Sequence, residues 1–142
     1  MKQRGFLLGC LMCVLGGLAG AQSNSNANWV GVWEGKLEGM PGVTLTLGND
    51  TGELGGTIVF NAVDSAHNRI IANSTHLLMH PHIEGNTLSF EVKGPDRSQA
   101  VHVTVKLTDD GKAELVCLDC GSDRPATELV KTQYTKDLST DR

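Results

Sequence analysis

The chain has 142 residues, 12 of them basic and 16 acidic, for a formal net charge of −4. No basic stripe runs through it, which argues against nucleic acid or an anionic membrane surface as a partner. Its length fits one domain preceded by a short targeting segment.

Lys2 and Arg4 give the chain a positive start, residues 6–18 form an apolar run without a charge, and Ala19-Gly20-Ala21 supplies the small residues a signal peptidase reads. The pattern predicts a signal peptide over 1–21, cut after Ala21, and so an exported protein, periplasmic or secreted. The apolar run is shorter than the roughly 20 residues a membrane-spanning helix needs, so no transmembrane segment is expected in the mature chain. Leu7-Leu8-Gly9-Cys10 resembles a lipobox, but cutting there would leave almost no apolar segment, and a lipid anchor at Cys10 ranks below cleavage at Ala21. Loss of Lys2 and Arg4 with the leader takes the net charge from −4 to −6 and leaves 121 residues. Cys10 and Cys13 leave too. Cys117 and Cys120 remain, and in an oxidising compartment they are expected to form a structural disulfide. A redox or metal role is the alternative for Cys-x-x-Cys. Redox centres of that kind open a helix, however, and Leu115-Val116-Cys117-Leu118 reads as a strand.

Residues 22–28 read as a disordered polar linker and 135–142 as a polar tail. Between them, over 29–134, the hydrophobic pattern has period two, the mark of half-buried strands. Trp29, Gly31, Trp33 and Leu37 share one face. Val43, Leu45 and Leu47 alternate with threonines, and Leu54, Ile58 and Phe60 follow. Leu77, Met79 and Ile83 form the next apolar set, with His76, His80 and His82 on the opposite face. Leu88, Phe90 and Val92, then Val101, Val103, Val105 and Leu107, then Ala113, Leu115 and Cys117 continue it, and 129–132 closes the series. Turn residues fall between the sets. A turn centred on Asp50-Thr51 sets Leu47 opposite Leu54 and Val43 opposite Ile58. A turn at Gly85-Asn86 sets Ile83 opposite Leu88 and Met79 opposite Val92. Residues 61–69 read as a longer connection with at most one helical turn. About eight strands in sequential hairpins predict an all-β, antiparallel up-and-down barrel, with a β-sandwich as the alternative.

Gly31-Val32-Trp33 on the first strand, followed by hairpin after hairpin, resembles the lipocalin-like (calycin) barrels, in particular small exported domains of bacteria. The resemblance implies that the Trp33 indole plugs one end of the barrel and that a basic residue of the last strand, here Lys131, covers the ring. It also implies a non-enzymatic module that takes a small apolar ligand inside the barrel or a protein partner at its rim. Trp33, Leu45, Leu88, Phe90, Val103 and Lys131 are the ligand-binding candidates, with Gly31, Gly35, Gly56 and Ala113 as small inward residues that leave room.

The histidines offer a second chemistry. Hairpin register places His80 across from Glu91, and pairing of Val92 with Val101 brings His102 beside Glu91. His80, His82, Glu91 and His102 on the outer face are therefore candidate ligands for zinc or copper, with Pro81 marking a bulge between the first two. No nucleophile elbow or other activated-nucleophile motif occurs, no catalytic residue is assigned, and no cofactor is called for.

Overall fold

The computed structural model describes residues 26–94, 98–109, 111–121 and 123–132. The predicted signal peptide and the polar tail lie outside the described residues. Nine strands follow a short helical turn over residues 26–29: β1 (Gly31–Leu37), β2 (Met40–Asp50), β3 (Glu53–Asp64), β4 (Arg69–Leu77), β5 (Met79–Glu84), β6 (Thr87–Lys93), β7 (Ala100–Asp109), β8 (Lys112–Cys117) and β9 (Thr127–Thr132). All lie in one antiparallel sheet of order β4-β3-β2-β1-β9-β8-β7-β6-β5. A sandwich would need two sheets. The single curled sheet is an up-and-down barrel.

The two edge strands of that sheet are consecutive in the chain, separated by Leu78 alone. Following the antiparallel pairs around the sheet from β1, β4 and β5 run in the same direction. They are one long strand bent at Leu78, hydrogen-bonded to β3 before the bend and to β6 after it. Nine strands thus make eight staves, and the barrel closes through the covalent chain rather than through a continuous ladder. Leu78 seals the joint: its side chain is 6% exposed and its N–H donates to the Gly56 carbonyl at 3.1 Å. A Cβ on Gly56 would run into the Thr46 carbonyl oxygen, so only glycine allows this close approach.

The bend also changes the phase of side chains. Leu77, expected inside, is 70% exposed, and His76, expected outside, turns inward against Phe60, with ring centroids 5.8 Å apart. Residues 61–69, read as a connection, extend β3 and β4 into a hairpin instead, with Asn61 opposite Asn73 and Asp64 opposite Arg69. Period two failed to reveal β4 because almost the whole strand is exposed and carries no alternation of burial.

Two registers differ from expectation. The β2–β3 turn centres on Thr51-Gly52, not Asp50-Thr51, since both central residues of a type I′ turn take positive φ and glycine suits the second; here they stand at 52° and 87°. Leu47 therefore faces Gly56 and Val43 faces Phe60. The shift of two residues keeps every side chain on its face. In β5, the bulge at His80-Pro81 sets Met79 opposite Glu91 rather than Val92, while Ile83 remains opposite Leu88. A further register shift falls between Gly35 and Lys36 near the end of β1, where Leu37 is 51% exposed.

The buried core gathers Trp29, Trp33, Leu45, Leu47, Ile58, Leu88, Phe90, Val103, Val105, Ala113, Leu115 and Leu129. Full burial of side chains of this size contributes about 1.5–3 kcal/mol each before the entropy of ordering is counted.

Candidate functional site

The barrel has two unlike ends. At the start of β1 the helical turn brings Trp29 against Trp33, ring centroids 6.0 Å apart, and the Trp33 indole N–H donates to the Trp29 carbonyl at 2.8 Å. Residues 26–28, read as part of a disordered linker, are thus held in a cap. Gly31 lies at φ 138°, and a Cβ there would fall 2.8 Å from Lys131 Cε. The missing side chain lets Lys131 cross to the cap, where Nζ sits 5.5 Å from the Trp33 ring centroid and donates to the Asn28 carbonyl at 3.1 Å. The spaces left by Gly35 and Gly56 are likewise taken, by Leu129 and Thr127 in one case and by the Thr46 backbone in the other. They are positions of close approach and leave no void.

At the other end, where β1 finishes and β8 hands over to the loop before β9, the barrel opens into a cavity of about 1150 Å³. Its walls carry Val43, Phe60, Met79, Val92, Val101, Val103 and Leu115, and its mouth carries Lys36, Lys93 and Arg124. The inward face of β4 adds Ser74 and His76 beside the bent strand. Of the six ligand-binding candidates named from sequence, Val103 lines this cavity. Leu45, Leu88 and Phe90 are packed in the core, and Trp33 and Lys131 belong to the plugged end.

Cys117 and Cys120 stand at disulfide distance, with Cα atoms 5.5 Å apart, and both line the cavity. Cys117 pairs with Val103 at the end of β8, so the link fixes the start of the loop that carries Arg124 and Pro125.

The histidine row forms on the outer face, and it is longer than expected. His80 Nδ1 lies 3.0 Å from Glu91 Oε2, and His102 Nε2 lies 2.8 Å from Glu91 Oε1. The other His102 nitrogen, Nδ1, lies 2.7 Å from Asp119 Oδ2, which also accepts the His102 backbone N–H at 2.8 Å. Only the imidazolium donates from both ring nitrogens, so this arrangement favours a charged His102. The Asp119 hydrogen bond, followed by the charges of Asp119 and Glu91, raises the His102 pKa above its ordinary value of 6.5. The His80 hydrogen bond and the nearby imidazolium lower Glu91, and the backbone and side chain of His102 lower Asp119. His82 stands apart, its Nδ1 3.3 Å from the His80 carbonyl. A metal binds a ring nitrogen through its lone pair, and here both nitrogens of His102 face carboxylates. Among the described residues no group of three or more His, Cys, Asp or Glu is arranged to hold a metal ion.

Asp119 is the member of the row that sequence reasoning missed, because it sits in a turn with no period to read. A signal existed: once Val103 pairs with Cys117, the next residues of the turn must lie beside His102, and Leu118 N–H does bond the His102 carbonyl at 2.9 Å. The cations of the mouth gave no such signal, since they come from three separate elements. In comparisons with known proteins, no family model, curated protein or solved structure matches the chain.

Proposed function

We propose that this is an exported, non-enzymatic binding module that takes a small apolar molecule into the open end of its barrel. The observation that carries the reading is the cavity itself. Ligand sites are concave, mostly apolar and of order 300–1,000 Å³; this one, at about 1150 Å³, is slightly larger, and Val43, Phe60, Val92, Val101 and Val103 line it. Kinship with lipocalin-like barrels is part of the proposal, supported by the way Gly31, Trp33 and Lys131 close the opposite end. Export is supported by the leader pattern and by the cysteine pair. Among the described residues no helix is long and apolar enough to cross a membrane.

Titration of the purified protein with N-phenyl-1-naphthylamine, a neutral apolar fluorophore, tests the reading. Saturable enhancement at one equivalent is expected, and Val101→Trp, which fills the cavity from a half-buried wall position, should abolish it while the β-sheet circular dichroism stays unchanged. Absence of binding by this probe and by a set of other lipophiles, with no rise in melting temperature, sinks the proposal. A ligand at 100 times its Kd should stabilise the fold by about 2.7 kcal/mol. N-terminal sequencing of the exported material should begin at Gln22.

A further inference from the structure

The charge of the mouth runs against the charge of the molecule. The chain carries more acidic than basic residues, yet among the described residues the cavity is lined by Lys36, Lys93 and Arg124 and by no aspartate or glutamate. The three cations come from three places in the sequence: just past the bulge in β1, the last residue of β6, and the loop between β8 and β9. Nothing local in the chain brings them to one cavity; the curl of the sheet does. The ion pairs found among the described residues use none of them. Among the described residues, the carboxylates nearest to them along the chain, Glu34, Glu38, Glu91 and Asp123, do not line the cavity. Val43, Val92, Val103 and Leu115 of the walls are buried, whereas the three cations are exposed.

We infer that the ligand is an anionic amphiphile: an apolar body against Val43, Phe60 and Val101, and one negatively charged head group held at the mouth by Lys36, Lys93 and Arg124. This rests on the reading of the open end as a binding cavity and adds the ligand's charge. The physical reason is selectivity. Apolar walls reward any lipophile alike, whereas a cluster of like charges at the entrance attracts an anion, leaves a neutral head group without gain and repels a cation. The cations are exposed, so the effect is screened by salt over a Debye length of about 8 Å at physiological ionic strength.

Displacement of N-phenyl-1-naphthylamine by three twelve-carbon compounds tests this: dodecanoate, dodecan-1-ol and dodecyltrimethylammonium, each below its aggregation threshold. Dodecanoate should displace the probe at about tenfold lower concentration than the alcohol, equivalent to ~1.4 kcal/mol, and the ammonium compound should be weakest. Raising NaCl from low to high concentration should erase most of the difference, and so should the triple variant Lys36→Gln, Lys93→Gln, Arg124→Gln. Because the salt series uses the unaltered protein, the inference is decided even where the triple variant fails to fold. Equal displacement by dodecanoate and dodecan-1-ol overturns the inference and leaves the cavity reading intact. A preference for dodecanoate that survives both high salt and the triple variant also overturns it. Failure of the probe and of all three compounds to bind ends both readings together.

Discussion

The plugged end and the open end of this barrel are built from the same staves, yet they do opposite things with their apolar surface. At the plugged end Trp29 and Trp33 pack on each other and on the core, Trp33 is 1% exposed, and its indole N–H is satisfied at 2.8 Å. At the open end Val101, Met79 and Phe60 are only partly covered, and three exposed cations line the same cavity. The difference comes from what each strand meets at its tip. One end receives a helical turn that sets Trp29 against the Trp33 indole of β1; at the other, β1 ends past a bulge with Leu37 half exposed, and the cysteine link fixes the start of the loop that carries Arg124. Stability should therefore be concentrated at one end and binding at the other.

The strongest test of that division is Trp33→Ala. Deleting a fully buried indole should cost about 3–5 kcal/mol in urea unfolding, whereas Val101→Ala at the open end should cost about 1 kcal/mol. Comparable losses at the two sites would erase the distinction. Next in size is Gly56→Ala at the joint that closes the barrel. Its Cβ meets backbone that cannot rotate away, so a loss of about 1–3 kcal/mol is expected. Gly48→Ala, with open space around its Cβ, should be close to neutral and serves as the control.

The cysteine pair should matter less for folding than for binding. Its loop is so short that the double change Cys117→Ser, Cys120→Ser should cost only ~2 kcal/mol in the chain-entropy model. Because both residues line the cavity, probe affinity should fall as well. Complete loss of β-sheet dichroism at room temperature would mean that the open end, too, carries the fold.

The smallest expected effect is that of the outer row, which pins the cysteine turn through Asp119. His102 has a raised pKa, so its contribution is complete below its ordinary value of 6.5 and is lost as pH climbs through the raised value. Glu91 and Asp119 have lowered values, so theirs is complete above 4.5 and 3.8 and is lost as pH falls through the lowered ones. The row is thus at full strength between about pH 4.5 and 6.5. An NMR titration of the His102 ring should give a midpoint above 6.5, and Asp119→Asn should bring it down. A midpoint that stays put in the variant would remove Asp119 from the row. Stoichiometric zinc or copper in untagged protein, lost in His80→Ala, would replace the proton reading with a metal one.

Period two along the chain was enough to read the all-β class, about eight of the nine strands and the pairing of Glu91 with His102, because a strand with one wet face and one dry face must alternate. The cysteine pairing was legible for another reason: the predicted leader takes Cys10 and Cys13 with it, and an oxidising compartment favours a bond between the remaining Cys117 and Cys120. The sequence alone did not disclose β4, whose exposed surface has no dry face to impose a pattern, or the change of phase at Leu78, where one strand passes from one partner to another. Nor did it disclose which inward residues would be core and which would face a cavity. Leu45 and Phe90 have the same local pattern as Val101, which stays half-buried in the cavity wall, and only the curl of the sheet, its bulges and the indoles at one end separate them. Burial is decided by what lies across the barrel, and that neighbour is remote in sequence. The same holds for Lys36, Lys93 and Arg124, three unremarkable surface residues until the closure of the barrel sets them around one opening.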